Sequence, residues 1–118
     1  MHDPNCIFCK IIAGDIPSQK IYEDEELFAF KDIRPAAPVH FLLVPKIHVP
    51  SLAQVGAEHA PLLGRLMTKI PALALEQGCN PYPDGGYRVV VNTGAEGGQE
   101  VHHLHVHVMG GPRPWRVG

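Results

Sequence analysis

His102–Gly111 reads HHLHVHVMGG, and three of its histidines, His103, His105 and His107, are separated by single apolar residues. Alternation with period two is the pattern of a half-buried strand, so a strand is predicted over 101–109. The three imidazoles then share one face, and Leu104, Val106 and Val108 turn towards a core. His102 falls on the apolar parity, which suggests an edge or an irregularity. Imidazole is a poorer strand former than Val or Thr and needs hydrogen-bond partners when buried, so the row is no stability device. A row of solvated surface histidines is the plain alternative. Alternation along a whole strand beside a glycine-rich stretch argues against it.

Two chemistries use such a row. As metal ligands, same-face neighbours lie roughly 7 Å apart and can share an ion. His103 and His107 stand about 13–14 Å apart, too far for three bonds of about 2 Å to one zinc without strain. As a nucleophile, a neutral imidazole attacks phosphorus if its other ring nitrogen is held by an acceptor. His105, flanked on both sides, is the natural candidate. The row is therefore expected to divide its duties.

Outward from this strand, TGAEGGQ (93–99) is a glycine-rich connection and YRVVVN (87–92) a strand. NPYPDGG (80–86) is a turn-rich loop. Leu62, Leu63, Leu66, Met67, Ile70, Leu73 and Ala74 recur at helical spacing, with Pro71 expected to kink the helix. VHFLLVPK (39–46) is a strand ended by Pro45, and KIY (20–22) and LFAF (27–30) are two short strands around an acidic turn. DPNCIFCKIIAG (3–14) is a short helix with Asp3 as cap, Pro4 in the first turn and Gly14 at the exit. Ile7, Phe8, Ile11 and Ile12 form its apolar face. Strands with mostly short connections and one long helix predict an α+β domain on an antiparallel sheet.

The 118 residues fit one domain, 1–118, with a tail from about 110, and 45% of them are hydrophobic. So small a core leaves room for association to help. The formal charge is −2 and no basic run occurs, which gives no reason to expect nucleic-acid binding. No apolar stretch approaches the roughly 18 residues of a membrane span, and no signal peptide is visible, so a cytoplasmic location is expected. Three cysteines argue weakly against a disulfide framework. Cys6 and Cys9 form C-x-x-C, a metal or redox spacing in a cytoplasmic protein. Cys79 stands alone, as a packing residue or partly exposed. His2 and His59 carry no motif and are expected to be solvated.

The run His103–Leu104–His105–Val106–His107–Val108–Met109 resembles the signature of the histidine-triad (HIT) family of nucleotide hydrolases and transferases. CIFCKIIAGDIPSQKIYEDEELFAFKDIRPAAPVHFLLVPKIHV (6–49) and VVVNTGAEGGQEVHHLHVHVMGG (89–111) resemble the two halves of its Hint branch. His107, where one branch has Gln, is more similar to the hydrolases. The resemblance implies a five-stranded antiparallel meander with one long and one short helix, dimerising into a continuous ten-stranded sheet. It implies a purine nucleoside phosphoramidate hydrolase of adenosine phosphoramidate type, releasing a nucleoside monophosphate such as AMP through a nucleotidyl-His105 intermediate. His107, His40 and His103 complete the catalytic set. Phe8, Ile16, Asp32, Ile33, Asn92, Gly98, Gln99, Glu100, Val106 and Trp115 are the implied nucleotide contacts. Asp32 suits ribose hydroxyls, and glycine backbone N–H groups approach phosphate closely. Glu100 departs from the serine of several Hint-branch proteins. By the same similarity Trp115 lines the partner subunit's pocket. Cys6, Cys9, His48 and His103 match the set that holds structural zinc in some bacterial members, and the chemistry itself needs no cofactor. The alternatives are a dinucleoside polyphosphate hydrolase, a non-enzymatic nucleotide-binding regulatory module, and a metal-handling protein.

Overall fold

The computed structural model describes residues 3–115. Five antiparallel strands form one sheet: β1 (Lys20–Glu23), β2 (Leu27–Lys31), β3 (Val39–Pro45), β4 (Tyr87–Val90) and β5 (Val106–Gly110), in the order β1-β2-β3-β5-β4. The first three form a meander. Helix α2 (Ala60–Glu76) then carries the chain across, and β5 returns between β3 and β4.

Strand parity divides the two faces. Leu27, Ala29, Phe41, Leu43, Val106 and Val108 meet Leu66, Ile70, Leu73 and Ala74 of α2 in one core, which Cys79 also enters. Phe28, Phe30, Leu42 and Val44 face the other way and are covered by Cys6, Phe8, Cys9 and Ile11 of the N-terminal segment. Each fully buried large side chain contributes about 1.5–3 kcal/mol, so both layers matter to a chain of this size. Met67, placed on the helix's core stripe by spacing, is 51% exposed and joins Leu75 on the outer side. Helix α2 continues through Pro71, which removes only the N–H that the Met67 carbonyl would have accepted.

Helix α1 (Ile7–Ala13) differs at its start from the sequence expectation. Its N-cap is Cys6, whose Sγ accepts the Cys9 N–H. Asp3 instead closes the turn ahead of it, taking the Asn5 N–H on its carboxylate and the Cys6 N–H on its carbonyl. Gly14 ends the helix with φ 86°, the left-handed conformation that a side chain disfavours.

The last strand begins later than the alternation suggests. The ladder's final pair is Leu43↔Val106. Pro45 has no N–H to give, and its carbonyl accepts the His103 Nε2–H at 2.8 Å. The Leu104 N–H goes to Val49 in a loop rather than to β3. His103 to His105 therefore precede β5, although Leu104 is buried as expected. His102 is exposed. His59 is a capping residue, its Nδ1 accepting the Gly56 N–H at 2.9 Å. His2 lies outside the described residues.

Candidate active site

His105 is almost fully buried, and its Nδ1 lies 2.7 Å from the carbonyl oxygen of His103. A carbonyl only accepts, so Nδ1 carries the proton and Nε2 keeps the lone pair. The ring is braced by Phe8, which meets it edge to face at 5.0 Å between centroids. It also stands beside His107, at 5.1 Å.

A second histidine pair has its protons ordered by the same logic. The Ala36 N–H donates to His40 Nδ1 at 2.9 Å, so neutral His40 holds its proton on Nε2. That nitrogen is 2.9 Å from His107 Nδ1, which must accept. Neutral His107 is left with its proton on Nε2. Sheet register explains the contact: His40 lies opposite Met109 and Leu42 opposite His107, so His40 and His107 are diagonal neighbours on one face. The Asp32 carboxylate stands 3.4 Å from His40 Nε2.

Burial pushes His105 below the ordinary imidazole value of 6.5, opposed by the His103 carbonyl and the Asp32 charge. His107 is pushed down to about 4, first by burial and then by His105 and His40, with Asp32 opposing. His40 is lowered by burial against the pull of Asp32. At neutral pH the imidazoles are uncharged: one offers a lone pair and another a proton.

These rings open onto a cavity of about 840 Å³. Phe8, Ile11, Ile16, Phe30 and Leu42 make an apolar wall, suited to a flat ring. Asp32, Ile33, Asn92, Gly98, Glu100, His40, His105 and His107 also line it. Ile33 stands on the rim, 92% exposed. Ser18, Lys31, Arg34, Glu96 and Val101 line the cavity without having been singled out in the sequence. The exposed polar and charged side chains among them carry no periodic signal, and half-buried Val101 reads as core; only their neighbourhood to Asp32 or the glycine loop hints at them.

Three assignments are corrected by placement, those of Val106, Gln99 and the His103 ring. Val106 lies in the core beneath α2, because its parity is opposite to that of His105 and His107. Gln99 does not line the cavity. Its amide spans the loop, accepting the Gly94 N–H and donating to the carbonyls of Pro50 and Val101, so it braces the glycine-rich turn. Trp115, expected at a partner subunit's pocket, lies outside this chain's own cavity, as that expectation allows. Its indole N–H donates to the Gly111 carbonyl, and the guanidiniums of Arg88 and Arg113 lie 5.5 and 4.8 Å from the ring centroid. The His103 ring is turned away from the cavity, and only its carbonyl serves His105.

That ring joins Cys6, Cys9 and His48, whose donor atoms all lie within 4.8 Å of one another. His103 Nδ1 is 3.3 Å from Cys6 Sγ, 3.6 Å from Cys9 Sγ and 3.3 Å from His48 Nδ1, and Cys9 Sγ is 3.6 Å from His48 Nδ1. Tetrahedral zinc, with bonds of about 2.0–2.1 Å to nitrogen and 2.3 Å to sulfur, sets nitrogens about 3.3 Å apart and nitrogen–sulfur pairs about 3.6 Å apart. The donor set fits that ion. The outer partners fit as well: His103 Nε2–H is tied to Pro45, and His48 Nε2 faces the Asp3 carboxylate at 3.7 Å. Burial raises the Cys6 thiol and lowers His103 to about 4, so His103 offers the neutral imidazole that a metal ligand needs, while loading a cation would have to displace the Cys6 proton.

An antiparallel sheet carrying paired neutral imidazoles over a cavity of nucleotide size defines a class, and comparison with known proteins agrees. The family model "Scavenger mRNA decapping enzyme C-term binding" matches residues 5–116. The chain is 55% identical over 108 residues to protein HitA of Neisseria gonorrhoeae, covering 92% of this chain and 97% of that one. It is 45% identical to the purine nucleoside phosphoramidase of Escherichia coli K12 (89% and 86% covered) and 42% identical to the 14 kDa zinc-binding protein of Zea mays (94% and 85%). A histidine triad protein structure from Clostridium difficile superposes with TM-score 0.89 at 41% identity, covering all of both chains. The chain belongs to the histidine-triad (HIT) family.

Proposed function

We propose that the protein is a purine nucleoside phosphoramidate hydrolase working through a nucleotidyl-His105 intermediate. The carrying observation is the bond from His105 Nδ1–H to the His103 carbonyl, which leaves Nε2 as a lone-pair donor at the cavity. Nε2 attacks the α-phosphorus. An N–P bond to His105 forms, the phosphorus–nitrogen bond of the substrate breaks, and the amine leaves neutral after taking a proton from solvent water, a proton that the water of the second step returns. The positive charge on the imidazole ring is held by the carbonyl at Nδ1. His107 Nε2–H donates to a phosphate oxygen as charge builds there. Water then displaces His105, releasing the nucleoside monophosphate. Asp32 suits the ribose hydroxyls, and the wall of Phe8, Ile16 and Leu42 suits a purine.

The name of the Escherichia coli relative supports the substrate class. Cys6, Cys9, His48 and His103 would hold a structural zinc, supplying folding free energy and no chemistry at phosphorus. The zinc-binding maize relative supports this reading. A second copy would pair along β4, an edge strand whose Tyr87 and Val89 are exposed, as are Met67 and Leu75 of α2. Among the described residues no helix is long and apolar enough to cross a membrane, consistent with work in the cytoplasm. The deciding assay sets adenosine phosphoramidate beside a dinucleoside polyphosphate. Preferential release of AMP from the former supports the proposal, and preference for the latter sinks it.

A further inference from the structure

We propose that the Cys6–Cys9–His48–His103 cluster is the positioning device of the nucleophile, so that metal loading sets the tautomer of His105 and with it the rate of turnover. The inference rests on the hydrolase reading above for its kinetic consequence, but not for its structural one.

His103 belongs to both centres. Its ring Nδ1 sits within 3.3–3.6 Å of the other three ligands, while its own carbonyl oxygen takes the His105 proton at 2.7 Å. Nothing in the sheet ladder holds that carbonyl, because β5 does not begin until Val106. Residues 103 and 104 are oriented by the His103 ring, anchored on one nitrogen by the cluster and on the other by Pro45, by the loop bond from Leu104 to Val49 and by burial of the Leu104 side chain. The far side of His105 is tied to the same cluster. Phe8 lies between Cys6 and Cys9 in α1, and its ring meets both His105 at 5.0 Å and His103 at 6.0 Å. Four ligands pulled onto one cation would fix α1 against residue 103 and hold the acceptor in place. Without the cation, only the long contacts of 3.3–3.6 Å between these sulfur and ring-nitrogen atoms join the four side chains. A wandering carbonyl lets the His105 proton move to Nε2, and that tautomer has no lone pair to offer phosphorus. His103 is thus a positioning residue, acting through its carbonyl.

The test uses the full chain labelled with ¹⁵N-histidine, as the zinc-loaded protein, after chelator depletion and after reloading with zinc. Long-range proton–nitrogen spectra assign the His105 tautomer in each state, beside turnover of adenosine phosphoramidate. The loaded protein is expected to hold the proton on Nδ1. Depletion is expected to mix the tautomers and lower kcat 10–100-fold, the usual range for losing an outer-shell partner, with zinc restoring both. His48→Ala keeps the other three ligands and gives a variant whose folding is checked by circular dichroism. Lowered zinc affinity, with the same tautomer mixing, is expected there. A protein that takes up no zinc overturns the proposal. So does a folded, depleted protein or His48→Ala variant that keeps the Nδ1 proton and full kcat. Zinc-dependent tautomer change with no turnover in any state supports the positioning role and overturns only the hydrolase reading.

Discussion

His40 Nε2 lies 2.9 Å from His107 Nδ1, and the Ala36 N–H on the far side of His40 fixes which way the proton points. A backbone amide thus dictates, through two rings, that His107 presents an N–H donor to the cavity. The arrangement needs both imidazoles uncharged, and burial keeps them so.

Removing the donor itself is costly. His107→Ala should lower kcat by about 10²–10³-fold, the range for one oxyanion donor. His40→Ala leaves the donor but releases its orientation, so a smaller loss of about 10–100-fold is expected. Steady-state kinetics on both variants check the ranking, and equal activity of His107→Ala and wild type would contradict it.

The acid limb follows from the direction of the shifts. His105, His40 and His107 all lie below 6.5 in the folded chain, the last at about 4. Activity should therefore hold from pH 8 down through 6.5 and fall only below it. The unfolded chain binds more protons than the folded one between about 4 and 6.5, so stability also declines as pH drops through that window. A kcat/KM profile with its acid midpoint at or above 6.5 would contradict the burial argument.

Elemental analysis should find about one zinc per chain, and Cys6→Ser should lose most of it. A formed metal site adds to folding free energy. Loss of a few kcal/mol moves the midpoint of so small a domain by about ten degrees or more. A thermal melt unchanged between the loaded and metal-free protein would rule this out.

Strand β4 gives a test of assembly. Sedimentation velocity should show a mass near twice 12.9 kDa for the wild type. Val89→Lys places a charge on a half-exposed edge residue and should shift the population towards monomer. A wild-type protein that sediments as a monomer at high concentration contradicts pairing along this edge.

The sheet was legible because period-two alternation is local. Leu27–Lys31 and Val39–Pro45 were read from their own residues, and so was the split of the histidine row, since the reach of a metal bond is a matter of rise per residue. Val106 shows parity to be the better guide: it faces the core as alternation requires, and only the family likeness placed it at the nucleotide. Gln99, the start of β5 and the cap of α1 were not legible. The first two depend on partners distant in sequence, Pro50 for the Gln99 amide and Pro45 for the His103 ring, and the cap depends on a thiol, Cys6, accepting the Cys9 N–H, a role that cysteine seldom takes. The neighbours of Trp115 within its own chain, Arg88 and Arg113, leave no trace in periodicity.

The covalent role of His105 is tested most directly by trapping. Wild-type protein mixed briefly with adenosine phosphoramidate, quenched and digested, should carry one adenylyl group, about one per chain, on the peptide holding His105. His105→Ala should carry none and turn over nothing while keeping its fold. An adduct on another residue, or an alanine variant with near-wild-type turnover, would contradict the account.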